Sequence, residues 1–203
     1  MSPAKRAFDI GLAGLLAVVL TPAILIIALL ILLRDGAPVF YVSERMKTPD
    51  QGFALWKFRT MTTDRSDSGV SGGDKTSRIT RTGKVLRRYR LDELPQLWNI
   101  LRGDISFVGP RPPLRRYTEM FPEIYGEVLK ARPGVTGLAT LAYHRTEEQL
   151  LAPCRSKEET EAVYCRRCVP RKARLDLIYA RRRSLCYDAR LVLATVIRRL
   201  PLH

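Results

Sequence analysis

Residues 10–33, IGLAGLLAVVLTPAILIIALLILL, carry no charged side chain, and no other stretch restricts the fold of this chain so strongly. As a helix rising about 1.5 Å per residue, the run reaches about 36 Å, more than the roughly 30 Å hydrocarbon core of a bilayer. It is apolar all round, which argues against a core helix with one wet face. It is too long for the apolar region of a secretory signal, and no small-residue cleavage site follows before Arg34. A membrane-embedded helix is therefore expected. Thr21-Pro22 lies at its middle, where proline removes a helical hydrogen bond and bends the axis. Lys5 and Arg6 precede the run and Arg34, Arg45 and Lys47 follow it, so a positive-inside preference draws both ends to the cytoplasmic side. From the residues alone, the helix either spans with a kink or enters and leaves by the same face.

The densest chemistry lies between Arg87 and Pro113, RRYRLDELPQLWNILRGDISFVGPRPP. Leu94, Leu97, Trp98 and Leu101 fall on one face of a helix. Pro95 sits in the first turn, where a missing N–H does no harm, and Gly103 marks the stop. Asp92 then reads as the N-cap with Glu93 beside it, both near the positive end of the helix dipole, which favours their ionised forms. A plain acidic cap is one reading. The surroundings supply another: Arg87, Arg88 and Arg90 precede the pair, and Arg102 and Arg111 follow it. Two carboxylates among arginines suit a phosphorylated substrate, because the acids can hold a divalent metal or attack phosphorus while the arginines neutralise phosphate oxygens. Ile105–Val108 reads as a short strand. It runs into Gly109-Pro110-Arg111-Pro112-Pro113, a rigid turn that fixes Arg111.

The segment LDELPQLWNILRGDISFVGPRP closely resembles the signature of the bacterial sugar transferases, the small monotopic phosphoglycosyl transferases. KRAFDIGLAGLLAVVLTPAILIIALLI, KFRTM at 57–61 and RPGVTGLA at 132–139 extend the resemblance over nearly the whole chain. The resemblance implies a helix-dominated, mixed α/β monotopic membrane protein. A re-entrant helix over 1–35, broken at Thr21-Pro22, would anchor a cytoplasmic catalytic domain over 36–203, at the cytoplasmic face of the bacterial inner membrane. It implies transfer of a sugar-1-phosphate from a UDP-sugar to polyprenyl phosphate, with release of UMP and with Mg²⁺ as cofactor. Asp92 would be nucleophile and metal ligand, and Glu93 would activate or position the lipid phosphate. Lys57, Arg59, Arg87 and Arg111 would bind substrate phosphates. The chain departs from the family pattern at Leu138 and Thr140, where relatives carry tryptophan and glutamine, which points to substrate preference rather than chemistry.

The rest of the chain fits around this. Pro38–Val42 and Phe53–Phe58 are strand-like, with a turn at Pro49–Gly52 between them. Residues 62–83 are rich in Ser, Thr, Gly and Asp and are expected to form a mobile loop, either a lid over the nucleotide or a linker. Thr82 is expected to cap a short basic helix that leads to the acid pair. Residues 114–131 look helical with a break at Pro122. His144, Cys154, Cys165 and Cys168 contain one tight pair, a weak zinc pattern, and reduced thiols are the simpler reading. Residues 171–203 form amphipathic helices, with Leu185, Val192, Val196 and Leu200 on one side and Arg181-Arg182-Arg183 suited to anionic lipids. Of the net charge of +15, residues 1–33 contribute +1 through Lys5, Arg6 and Asp9, and the remainder contributes +14. No pattern for nucleic acid accompanies it, so no nucleic-acid partner is expected, and a homodimer is left open. A basic membrane-bound docking protein would explain the anchor and the charge, but not an acid pair inside the arginine cluster.

Overall fold

The computed structural model describes residues 1–63, 70 and 72–197. Helix α1, Pro3–Asp35, is assigned helical throughout, with Pro22 inside it. The expected break at Thr21-Pro22 is therefore not an interruption of the helix. The Thr21 hydroxyl donates to Ala17 O at 2.6 Å, its own carbonyl four residues back, rather than to the Val18 carbonyl that Pro22 leaves without an amide donor.

One stripe of α1 packs on the body of the protein from end to end. Leu12, Ala13, Leu16, Ala17 and Leu20 join one apolar cluster with Leu97, Ile100 and Ile105. Ile24, Ile27, Ala28 and Ile31 join another with Phe58 and Leu86. The remaining faces expose Leu15, Val18, Val19, Leu25, Ile26, Leu29 and Leu33. Both ends are fastened by polar contacts. At the start, Arg6 donates to Ile100 O and Leu101 O at 2.6 and 2.7 Å, and Asp9, fully buried, accepts from Phe107 N. Lys5 meets Asp188 at 2.5 Å. At the other end, Arg59 donates to Asp35 O and Gly36 O at 2.6 and 2.5 Å, and the Thr80 hydroxyl donates to the Asp35 carboxylate at 3.0 Å.

Strands β1, Phe40–Met46, and β2, Gly52–Phe58, form the expected antiparallel hairpin, with Tyr41 opposite Lys57 and Arg45 opposite Phe53. Part of the segment expected as a loop at 62–83 forms regular structure, and residues 64–69 and 71 lie outside the described residues. Met61 bridges Ile79, and Gly73–Arg78 forms a 3₁₀ helix. A Cβ at Gly73 would come within 2.2 Å of Ala152 O, so this turn is seated on the main chain beyond. Helix α2, Arg81–Tyr89, starts earlier than expected. Its cap is Thr80, which accepts from Gly83 N at 2.8 Å, and not Thr82.

Helix α3, Gln96–Arg102, and strand β3, Ser106–Val108, follow the acid pair. Helices α4, Arg115–Met120, and α5, Pro122–Val128, are divided at Pro122 as expected. Strand β4, Gly134–Thr136, pairs in parallel with β3. Helices α6, Leu138–Leu151, and α7, Lys157–Val163, precede one turn of π-helix, Tyr164–Cys168. Helices α8, Val169–Arg182, and α9, Leu185–Ile197, complete the described chain. On α9 the inward face is Asp188, Leu191 and Ala194, while Leu185, Leu193, Val196 and Ile197 are exposed. Of the expected apolar stripe, Leu185 and Val196 face outward, Val192 packs against the core, and Leu200 lies outside the described residues.

Candidate active site

Arg90 ends α2 in the left-handed region, at φ 56°. A non-glycine residue there carries local strain. It lets the chain turn sharply into a 3₁₀ turn, Leu91–Glu93, that leads into α3. Asp92 is therefore inside a turn and makes no capping bond, contrary to the expected N-cap; Pro95 occupies the position before α3. The packing of α3 also differs from the expected stripe. Gln96, Leu97, Asn99 and Ile100 are buried, whereas Trp98 is 54% exposed.

Asn99 sets the register between α3 and the hairpin. Its amide nitrogen donates to Ala54 O at 2.7 Å and to Asp104 Oδ2 at 3.1 Å, and its carbonyl oxygen accepts from Trp56 N at 3.1 Å. The side chain acts as a partner for the β2 backbone, one residue short of Lys57. Lys57 then reaches Glu93 Oε1 at 2.9 Å. On the other side, β3 and β4 approach so closely that a Cβ on Gly109 would lie 2.1 Å from Arg132 O, and one on Gly134 would lie 2.2 Å from Gly109 N. This crossing fixes the turn that carries Arg111, which reaches the same Glu93 oxygen at 2.9 Å. Arg90 stands 3.8 Å from Glu93 Oε2.

The two adjacent carboxylates have opposite surroundings. Burial pushes Glu93 upward, but Arg111, Lys57 and Arg90 outweigh it and hold this carboxyl well below the usual range. Asp92 makes no hydrogen bond or ion pair among the described residues. Burial raises its carboxyl above the ordinary aspartate range, Lys57, Arg87 and Arg111 offset this only in part, and Glu93 adds to the rise. The direction is opposite to that expected from a helix dipole, because the dipole of a single 3₁₀ turn is small. The result is one carboxylate saturated by cations and one left open at the same site.

The structure brings Asp92, Glu93, Lys57, Arg87 and Arg111 together. Arg87 approaches from α2, with its Nε on the Thr60 hydroxyl at 2.9 Å. Arg59 is placed elsewhere: it is buried and engaged with the end of α1. The sequence reading counted Arg90 among the arginines around the pair and Arg45 among the basic flanks of the apolar run, but gave neither of them, nor Asn99, a place in the site. It also missed the wall supplied by α6, where His144 feels the charges of Arg90 and Arg111 and where Glu147, paired with Lys172 at 3.0 Å, acts on Arg111. His144 lies 3.3 Å from Glu148, and Cys154, Cys165 and Cys168 are free thiols. Arg45 had a local signal, an arginine at an inward-reaching position of a strand; the α6 wall has none.

Comparison with known proteins identifies the family. The family model of bacterial sugar transferases matches residues 1–201. The chain is 37% identical over 202 residues to the exopolysaccharide production protein PSS of Rhizobium leguminosarum bv. phaseoli, covering 95% of this chain and 93% of the relative. It is 36% identical over 204 residues to the undecaprenyl-phosphate glucose phosphotransferase of Komagataeibacter xylinus, covering 96% of this chain but 35% of that protein. It is 34% identical over 198 residues to the UDP-glucose:undecaprenyl-phosphate glucose-1-phosphate transferase of Klebsiella pneumoniae, covering 96% of this chain and 39% of that protein. Against these last two relatives the chain spans little more than a third of the length. With the family model matching almost every residue around an acid pair held by lysine and arginine, this chain belongs to the bacterial sugar transferases.

Proposed function

We propose that this protein transfers a sugar-1-phosphate from a UDP-sugar to polyprenyl phosphate, releasing UMP, through a phosphosugar carried on Asp92. The observation that carries this reading is the unpartnered Asp92 carboxylate beside a Glu93 that is saturated by Lys57 and Arg111. In the first step an Asp92 oxygen bonds to the sugar-linked phosphorus. The bond from that phosphorus to the bridging oxygen breaks, and UMP leaves with the oxygen. In the second step an oxygen of polyprenyl phosphate bonds to the same phosphorus, and the acyl-phosphate bond breaks to restore the carboxylate. Two anionic substrates thus never meet directly, which is the electrostatic gain from covalent catalysis here. Glu93 is already engaged by Lys57 and Arg111, each at 2.9 Å. It works by positioning Lys57 and Arg111 against the phosphate oxygens.

The residues fit Mg²⁺. This ion commonly takes one or two carboxylates with the rest of its shell from water and substrate phosphates. Asp92 offers one open carboxylate, and no cluster of three or more His, Cys, Asp or Glu suited to a closed cage occurs among the described residues. Asp92 would hold the ion, which supplies charge neutralisation to the diphosphate when bound.

Helix α1 supports a reading of the location. Its outward faces are apolar along its length, yet both of its ends are tied to the same body. A helix held in this way suits immersion in one leaflet, with entry and exit by the cytoplasmic face, and the outward Leu185, Val196 and Ile197 of α9 suit the same surface. The reaction would then occur at headgroup depth, where the phosphate of a lipid acceptor lies. The names of the relatives point the same way, to undecaprenyl phosphate as acceptor and to exopolysaccharide as the pathway served. The test is UMP release by purified protein from a panel of UDP-sugars with Mg²⁺ and polyprenyl phosphate. Release with at least one sugar is expected, and its absence across the panel would overturn the reading.

A further inference from the structure

Arg45 lies on β1 beside the acid pair but takes no part in holding it. Its side chain lines a narrow cleft with Lys57, Gln96, Arg111 and Pro112. Its hydrogen bonds are long, 3.4 Å to Ser43 Oγ and 3.4 Å to Pro112 O, and both acceptors are uncharged. No carboxylate forms an ion pair with it among the described residues. The groups that bear on it are Arg111, a like charge, and the phenol groups of Tyr164, Tyr41 and Tyr117. Lys57 and Arg111 already share Glu93, and Glu147, which also acts on Arg111, is taken up by Lys172 at 3.0 Å. The cleft and the acid pair beside it therefore set three cations against two carboxylates, of which only Glu93 forms ion pairs with them among the described residues.

Such an arrangement works against folding. Removing a guanidinium from water without a counter-charge is costly, and an apolar side chain of similar length would serve packing better. Burial and the neighbouring Arg111 both push the Arg45 guanidinium below its usual pKa, which reports the same penalty. A charge held at such a cost is best explained by an anion that binds there. In-line displacement puts the leaving group on the side of the attacked phosphorus away from the nucleophile. The cations acting most strongly on Asp92 are Lys57, Arg87 and Arg111, and Arg45 adjoins Arg111 on its Pro112 side.

We infer that Arg45 is a phosphate ligand, receiving the nucleotide-side phosphate of the donor diphosphate while Asp92 addresses the sugar-side phosphorus. This rests on the donor reading proposed above. The row Lys57–Arg111–Arg45 suits two linked phosphates better than a single one, so the assignment is to the donor and not to the lipid acceptor.

Arg45→Met removes the charge and keeps the length, and Arg45→Lys keeps the charge and loses the fork. For each full-length variant, thermal melting is measured with and without UDP, and the KM is measured for UDP-sugar and for polyprenyl phosphate. Arg45→Met is expected to melt at or above the wild-type temperature without ligand, to lose the stabilisation by UDP, and to raise the UDP-sugar KM by about tenfold or more. Its acceptor KM should stay within about twofold, and Arg45→Lys should recover part of the loss. Melting several degrees below wild type with UDP stabilisation intact would make Arg45 structural and overturn the inference. A rise confined to the acceptor KM, in either variant, would overturn the assignment to the donor. Failure of the underlying transferase reading would appear separately, as no UMP release by the wild type, whereas failure of the Arg45 inference would appear as an unchanged donor KM in an enzyme that turns over.

Discussion

Two buried clusters of charge stand three residues apart along the same segment, at Val108 and at Arg111, and they are built on opposite terms. At Val108, Lys5 and Asp188 meet at 2.5 Å, the Tyr179 hydroxyl donates to Asp188 at 2.7 Å, and Lys5 and Tyr179 both reach Val108 O. One cation, one anion and two dipoles close on each other and need nothing further. At Arg111 the balance fails in both directions: cations outnumber the carboxylate they share, and Asp92 makes no hydrogen bond or ion pair among the described residues. Interiors normally satisfy their polar groups, so the satisfied cluster reads as a fastening that joins α1, α8 and α9 to the end of β3. The unsatisfied one reads as a receptor for a ligand with charges of both kinds to answer, a metal-bound phosphate. The fastening holds the strand end from which the receptor's arginine projects.

The contrast can be broken at either cluster. The largest effect is expected for Asp92→Asn, which should lower UMP release by about a thousandfold or more, since a nucleophile and its carbonyl substitute differ in kind. Melting should be unchanged, because Asp92 holds nothing in the fold; both are read on one preparation by activity assay and thermal denaturation. Glu93→Gln should behave differently, losing activity and also about 3 kcal/mol of stability in urea denaturation, because Lys57 and Arg111 are then left facing each other without a counter-charge.

Asp188→Asn, in the fastening, should cost about 2–3 kcal/mol of stability by stranding Lys5, with the donor KM altered by less than about threefold. A large change in KM at unchanged stability would erase the distinction between the two clusters. The smallest effect is one of pH. Burial raises Asp176 on α8 to about 7, only partly countered by Lys172. A carboxyl with a raised folded pKa contributes stability that is fully present below its unfolded pKa and is lost as pH rises through 7. Wild-type melting should therefore fall between pH 5 and pH 8 more steeply than that of Asp176→Asn, and parallel profiles would contradict the assignment.

What could be read from the sequence was what short range determines. The run at 10–33 announces itself by composition, and Asp92-Glu93 by two acids among arginines, so the anchor helix and the centre of the site were legible. Arg59, assigned to the site from the resemblance of KFRTM, lies apart from the acid pair because β2 ends at Phe58 and the chain turns Arg59 toward the end of α1. The cap assigned to Asp92 failed because nothing local foretells that Arg90 adopts a left-handed conformation. Trp98 was placed inward by its apolar character, although Asn99, a polar residue, takes the buried position by bonding to the β2 backbone. Strand β4 is three residues long and shows no alternation. Arg45, Asn99 and the α6 wall owe their places to contacts between distant segments, which no window of sequence contains.

The central claim is that the open carboxylate of Asp92 becomes covalently loaded. Purified protein mixed with UDP-sugar and Mg²⁺, without polyprenyl phosphate, and quenched within milliseconds should show by intact-mass and peptide mass spectrometry a sugar-phosphate on Asp92, accompanied by release of up to one UMP per site. Unmodified protein under these conditions, with UMP appearing only when the lipid phosphate is added, would contradict the account and leave Asp92 as a metal ligand in a direct displacement.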